Sequence, residues 1–208
     1  MYLLARQTNL RGLDSQKWAV DIGAAAAKGM GAEVGVWATV LSPGSGTVTW
    51  TSRWDDLSAL EKGFADLTAN TKYLKLAGEG AEFLNGPIND LLYEEVYAGN
   101  APSNDATYVG TISAVCLTGN LARGMLSGIE IAQKAEKTTG VSTGFLAGQT
   151  GTYGSVLWLA GYKNIAEFED AQHKLAADTA LVEYLDGATT AYLADPTVSQ
   201  STLYMRIN

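Results

Sequence analysis

The sequence predicts an α+β fold in which two tandem βαββαβ units form one intramolecular antiparallel α/β barrel. Three observations lead there. First, the stretch Gly46–Thr71 reappears, diverged, at Gly154–Thr179: Gly46, Val48, Trp50, Glu61, Leu67, Ala69 and Thr71 meet Gly154, Val156, Trp158, Glu169, Leu175, Ala177 and Thr179 at a constant spacing of 108 residues. A repeat of that length is one supersecondary unit written twice. Second, Thr47–Trp54 alternates with period two, and each copy passes from strand to helical period, at Trp54–Leu57 and Tyr162–Ile165, the signature of a strand running into a helix. Third, the same spacing pairs Trp37 with Phe145, Leu13 with Leu121 and Ala24 with Ala132, so the repeat spans nearly the whole chain.

Taken in order, Tyr2–Gln7 reads as a strand, short and apolar before the break at Asn9–Gly12. Leu13 to about Lys28 carries Trp18, Ile22 and Ala25 or Ala26 at helical spacing, with Asp14 and Ser15 as N-cap candidates and Gly29 or Gly31 as the stop. Glu33–Leu41 is rich in β-branched and aromatic residues, and Ser42–Gly46 is a Gly/Pro turn into a return strand, Thr47–Trp54. A second helix follows with Asp56 as N-cap and Leu57, Leu60, Phe64, Leu67, Thr71 and Leu74 on one face. Asn85–Gly86–Pro87 breaks the chain before a closing strand, Leu91–Tyr97. The polar, Pro-containing segment 98–106 is the expected connector, giving repeats 1–97 and 107–208. The second repeat runs as strand Tyr108–Leu117, helix Leu121–Lys137, strand Val141–Gln149, turn Thr150–Gly154 and strand Ser155–Tyr162. Its last helix, Ile165–Tyr184, is capped by Asn164 with Glu167 as a capping-box partner, and strand Thr202–Ile207 closes it. A βαββαβ unit places both helices on one face of a four-stranded antiparallel sheet. Apolar runs on both sides of Val34–Leu41 and Val156–Leu159 predict that the second face is covered too.

Composition narrows the function classes. The chain has 208 residues, 47 % hydrophobic and 17 % charged, which suits a compact core rather than disorder. A net charge of −8 opposes binding to phosphate backbones and anionic membrane surfaces, so neither nucleic acid nor membrane is expected as a partner. A single cysteine, Cys116, excludes an intrachain disulfide, and the apolar run before Arg6 is too short for a signal-peptide core; the expected location is the cytoplasm. Phosphate-loop, nucleophile-elbow, CxxC, HExxH and calcium-loop motifs are missing, and no metal or cofactor is expected.

Several residues could carry chemistry. Trp37, Trp50, Trp54 and Trp158 form an aromatic constellation suited to a flat apolar ligand, and Tyr162 stands in the second repeat where Trp54 stands in the first. Large aromatics on strands usually only pack, and the repetition of Trp50 as Trp158 favours that role for this pair. Arg6 and Arg53 lie on strands, where an arginine needs solvent or an anion: a ligand carboxylate or enolate, or one of the chain's own acids. His173, the only histidine, falls roughly 120° from the apolar stripe of its helix and is expected at the surface. Cys116, without a basic neighbour in sequence, reads as a buried inert thiol.

The duplicated pattern of an aromatic strand, a short polar cap and a long helix, Trp50 to Trp54-Asp55-Asp56-Leu57 and Trp158 to Tyr162-Lys163-Asn164-Ile165, resembles the dimeric α/β-barrel (ferredoxin-like) superfamily. Its members include antibiotic-biosynthesis-monooxygenase-like, NIPSNAP-like and stress-responsive A/B-barrel families. The resemblance implies a pseudo-dimer within one chain, open to further homodimerisation. It also implies a cavity between sheet and helices or inside the barrel, used in relatives for small organic substrates or haem. The leading expectation is therefore a protein that binds a small hydrophobic or aromatic ligand, its enzymatic form being a cofactor-independent monooxygenase or isomerase acting on an aromatic or polyketide-like compound. The alternative is a non-enzymatic stress-related or assembly protein with a filled barrel. A haem-binding reading requires His173 to face inward.

Overall fold

The computed structural model describes residues 1–208 except 45, 101–104, 194 and 196–198. Strands β1 (Tyr2–Asn9), β2 (Gly35–Val40), β3 (Thr47–Trp54), β4 (Asn89–Tyr97), β5 (Tyr108–Val115), β6 (Thr143–Gly148), β7 (Ser155–Tyr162) and β8 (Gln200–Arg206) are hydrogen-bonded in the cyclic order β1-β3-β2-β8-β5-β7-β6-β4, the topology of a closed barrel. Helices α1 (Gln16–Met30), α2 (Leu57–Thr68) and α3 (Thr71–Glu79) follow β1 and β3; α4 (Leu121–Thr139), α5 (Ile165–Ala177) and α6 (Thr179–Ala188) follow β5 and β7. The α+β duplication read from the sequence is the observed architecture. Of the expected connector 98–106, residues 101–104 lie outside the described residues. By packing, the chain forms one unit of Met1–Leu92 with Met205–Asn208 and another of Tyr93–Tyr204, the divisions falling inside β4 and β8.

In the first unit, β3 pairs antiparallel with β1 from Tyr2↔Trp54 to Asn9↔Thr47 and with β2 from Gly35↔Thr51 to Ala38↔Val48. Its core gathers Leu10, Trp18, Ala19, Ile22, Val34, Val36 and Val48. Helix α1 ends at Gly31, whose φ of 66° lets its N–H return to the Ala27 carbonyl without a Cβ in the way. Asn208 seals β2: its side chain donates to the Val34 carbonyl at 2.8 Å and accepts from the Val36 N–H at 2.9 Å.

In the second unit, β7 pairs with β5 from Tyr108↔Tyr162 to Val115↔Ser155 and with β6 from Thr143↔Ala160 to Ala147↔Val156. Helix α4 buries Gly124, Gly128, Ala132 and Glu136, a stripe spaced one turn apart. The small residues let β6 approach: an added Cβ on Gly128 would stand 2.1 Å from the Phe145 ring. Glu136 is a buried carboxylate with both oxygens engaged, accepting from the Tyr97 hydroxyl at 2.7 Å, the Asn100 N–H at 2.8 Å and Asn100 Nδ2 at 2.7 Å.

The two long apolar stripes break where the sequence reading ran them on. Ile165–Tyr184 is two helices, divided at Asp178, whose carboxylate accepts from the Leu181 N–H at 3.0 Å and opens α6. Thr71 and Leu74 likewise belong to a separate α3, opened by Asn70, whose side chain accepts from the Tyr73 N–H at 3.0 Å. Asn and Asp compete for backbone donors in this way, and an N-cap inside a periodic run starts a new helix at a new angle.

Candidate functional site

On the face of β1 and β3 that carries Leu4, Arg6, Trp50 and Ser52, Arg6 stands directly opposite Trp50 and Leu4 opposite Ser52. Helices α1, α2 and α3 lie over this face and leave a cavity of about 100 Å³. Its walls are Trp18, Ile22 and Met30 from α1, Phe64 and Leu67 from α2, and Tyr73 from α3, with Trp50 on the sheet side. Trp50 donates its indole N–H to the Ala19 carbonyl at 2.8 Å, and Trp18 donates to the Leu76 carbonyl at 3.0 Å. The two rings meet edge to face at 6.0 Å, and Phe83 stacks on the far side of Trp18 at 5.3 Å. Both polar handles are thus spent on the backbone, and the rings present apolar surface.

Arg6 and Tyr73 are the titratable side chains in this lining. Arg6 donates Nε to Asp90 Oδ1 and Nη2 to Asp90 Oδ2, each at 2.7 Å, and Nη1 to the Tyr73 hydroxyl at 3.2 Å. The Asp90 hydrogen bond outweighs the desolvation of Arg6 and raises its pKa above the usual guanidinium value, so it is charged throughout the working pH range.

Arg6 and Trp50 are the residues singled out from the sequence that meet at this cavity. Trp54 lies on the same sheet face but outside the lining, buried over Gly63 of α2, with its N–H on Ser52 Oγ at 2.8 Å. Trp37 points to the opposite face of the sheet, donating to Thr51 Oγ1 at 2.9 Å with the Arg206 guanidinium 5.7 Å from its ring centre. Arg53 is exposed, its Nη1 3.9 Å from the Met1 sulfur. Trp158 and Tyr162 are buried in the second unit, where Tyr162 meets Phe168 edge to face at 5.3 Å. His173 is exposed on α5. Cys116 is buried, which pushes its thiol pKa up and away from thiolate chemistry.

Sequence reasoning did not assign Trp18, Tyr73 or Asp90 to a site. Trp18 stood in the apolar stripe of its helix. The Asn70 cap that turns Tyr73 inward was the one available local signal, and Asp90 carried none.

The second unit repeats the tryptophan in different surroundings. Trp158 donates to the Gly128 carbonyl at 2.9 Å as Trp50 does to Ala19. Its cross-strand partner is Ile112 where Trp50 has Arg6. Tyr192 follows a single 3₁₀ turn, Thr189–Ala191, as Phe83 follows Gly80–Glu82. It packs edge to face on Trp158 at 5.5 Å and donates its hydroxyl to the Gly124 carbonyl at 2.5 Å.

Among the described residues, no group of three or more His, Cys, Asp or Glu side chains is placed to hold a metal ion, and no helix is long and apolar enough to cross a membrane. No family model and no curated protein matches the sequence. Solved structures do match. A monooxygenase candidate from Fusobacterium nucleatum subsp. nucleatum superposes with a TM-score of 0.71 at 12 % identity, over 100 % of this chain and 92 % of its own. An anthrone oxidase-like protein gives 0.71 at 12 %, covering 100 % and 91 %. A major regulator of staphylococcal pathogenesis gives 0.61 at 10 %, covering 100 % of both chains. At these identities the likeness is one of fold alone, a tandem ferredoxin-like α/β barrel.

Proposed function

We propose that the first unit binds a small apolar compound, about one aromatic ring in size, between its sheet and α1–α3. The observation that supports this reading is the apolar cavity of about 100 Å³ with Trp18 and Trp50 in its walls. Apolar cavities of about 150 Å³ take up benzene, so a single ring enters here with a small outward shift of flexible side chains such as Met30, whereas a fused polycycle needs the helices to part. An enzymatic form, cofactor-independent oxygenation or isomerisation of an aromatic or polyketide-like compound, draws its support from the fold likeness alone. The charged side chain in the lining is already paired with Asp90, so the lining supports binding more directly than turnover. Tyr192, packed on Trp158, favours a structural role for the second unit.

Trp18 and Trp50 report on the cavity directly. Titration with toluene or acetophenone should change tryptophan fluorescence saturably, and Ala26→Leu, which fills the cavity from α1, should abolish the change while leaving the chain folded. A response identical in Ala26→Leu, or none across one-ring compounds, rejects the reading.

A further inference from the structure

We propose that Asp90 sets the charge selectivity of the first-unit cavity: by occupying the Arg6 guanidinium it admits neutral compounds bearing an acceptor oxygen and excludes carboxylates. The proposal rests on the cavity being a binding site.

An arginine in an otherwise apolar wall would ordinarily recruit an anionic ligand. Here the anion is already supplied by the chain. Both Asp90 oxygens are engaged at 2.7 Å in the fork-to-fork arrangement that a ligand carboxylate would itself seek. Asp90 is held in place by its own segment: the Asn85 N–H donates to the Asn9 carbonyl at 2.8 Å, and Thr8 Oγ1 donates to the Pro87 carbonyl at 3.1 Å. The chain therefore returns along β1 and delivers Asp90 beside Arg6. A tethered carboxylate competes at an effective concentration that a free ligand does not match. A carboxylate that entered without displacing it would meet a like charge, partly screened because the Asp90 side chain is 44 % exposed.

A neutral oxygen faces neither obstacle. A guanidinium has five N–H donors, and the three described bonds leave one on each of Nη1 and Nη2. The Tyr73 hydroxyl accepts from Arg6, so its own proton remains to be donated. A carbonyl, ether or phenolic oxygen can accept from this set while Asp90 stays in place. In the second unit the residue opposite Trp158 is Ile112, 54 % exposed, so the polar end belongs to the first unit's copy.

The test compares toluene, acetophenone and benzoate at neutral pH, by tryptophan fluorescence and calorimetry, on the full chain and on Asp90→Ala, Asp90→Asn and the double variant Arg6→Met/Asp90→Ala. The wild-type chain should bind acetophenone at least about tenfold more tightly than benzoate, the ratio that one charge-assisted hydrogen bond of ordinary strength supplies. Both Asp90 variants should gain about tenfold or more in benzoate affinity, and the double variant should lose that gain while still binding toluene. Benzoate bound by the wild type as tightly as acetophenone overturns the proposal and leaves the cavity reading standing. So does an unchanged benzoate affinity in Asp90 variants that still bind toluene. Failure of the wild type to bind any of the three overturns the cavity reading, and the proposal with it. Should neither variant fold, the wild-type preference alone decides.

Discussion

The indole N–H of Trp50 donates to the carbonyl of Ala19 at 2.8 Å, tying β3 to α1, and Trp158 repeats the bond to Gly128 at 2.9 Å. The tryptophan shared by the two copies is therefore a strand-to-helix tie in both. In the first copy it also borders a cavity.

Replacing either tryptophan by phenylalanine should remove that bond and part of the buried ring, a loss of about 1–3 kcal/mol each. Trp158→Phe should cost more, because Trp158 is 8 % exposed and packed by Phe145 and Tyr192, whereas Trp50 already adjoins unfilled space. Urea denaturation midpoints of the two variants measure the difference, and equal losses would contradict the distinction drawn between the two units.

Gly128→Ala tests the close approach of α4 to β6. Its Cβ would meet three Phe145 ring atoms at 2.1 to 2.7 Å, and Phe145 is fully buried. Overpacking of this kind costs about 1–3 kcal/mol, and Phe145→Leu in the same chain should recover part of it. Gly187→Ala on α6, whose Cβ would enter open space, should instead stabilise by about 0.5–1 kcal/mol through helix propensity.

Stability should fall above pH 10. Burial, and then the hydrogen bond donated to Glu130, push the Tyr184 phenol up from 10.0 to about 12. Between those values the unfolded chain has released a proton that the folded chain retains, so folding weakens as pH rises through the window and is unaffected below it. Burial raises Tyr192 in the same direction. Urea midpoints followed from about pH 9 to about pH 12 should decline, and less steeply in Tyr184→Phe, which removes one of the titrating groups. An unchanged slope in that variant would assign the decline elsewhere.

How far the site was legible follows from the range of each interaction. Alternation from Thr47 to Trp54 put Trp50 on one strand face with Val48, Ser52 and Trp54 without saying which face meets the helices, and Arg6 was placed on a strand because Tyr2–Gln7 is short and apolar before a break. Their direct opposition is a matter of register, which the alternation of either strand alone leaves open. The breaks at Asn70 and Asp178 had a local cause, a side-chain cap, but an uninterrupted apolar stripe outweighed it in the reading.

The sequence by itself determined the duplication, through residues that recur at a constant spacing, and the order of the strands, through alternation only a few residues long. Tertiary structure alone decided that Arg6 meets Asp90, 84 residues away, and Tyr73, 67 residues away. It alone decided that Tyr192 packs on the second tryptophan. Such contacts form where segments distant in the chain are carried onto one sheet face, and no local pattern of residues encodes the meeting.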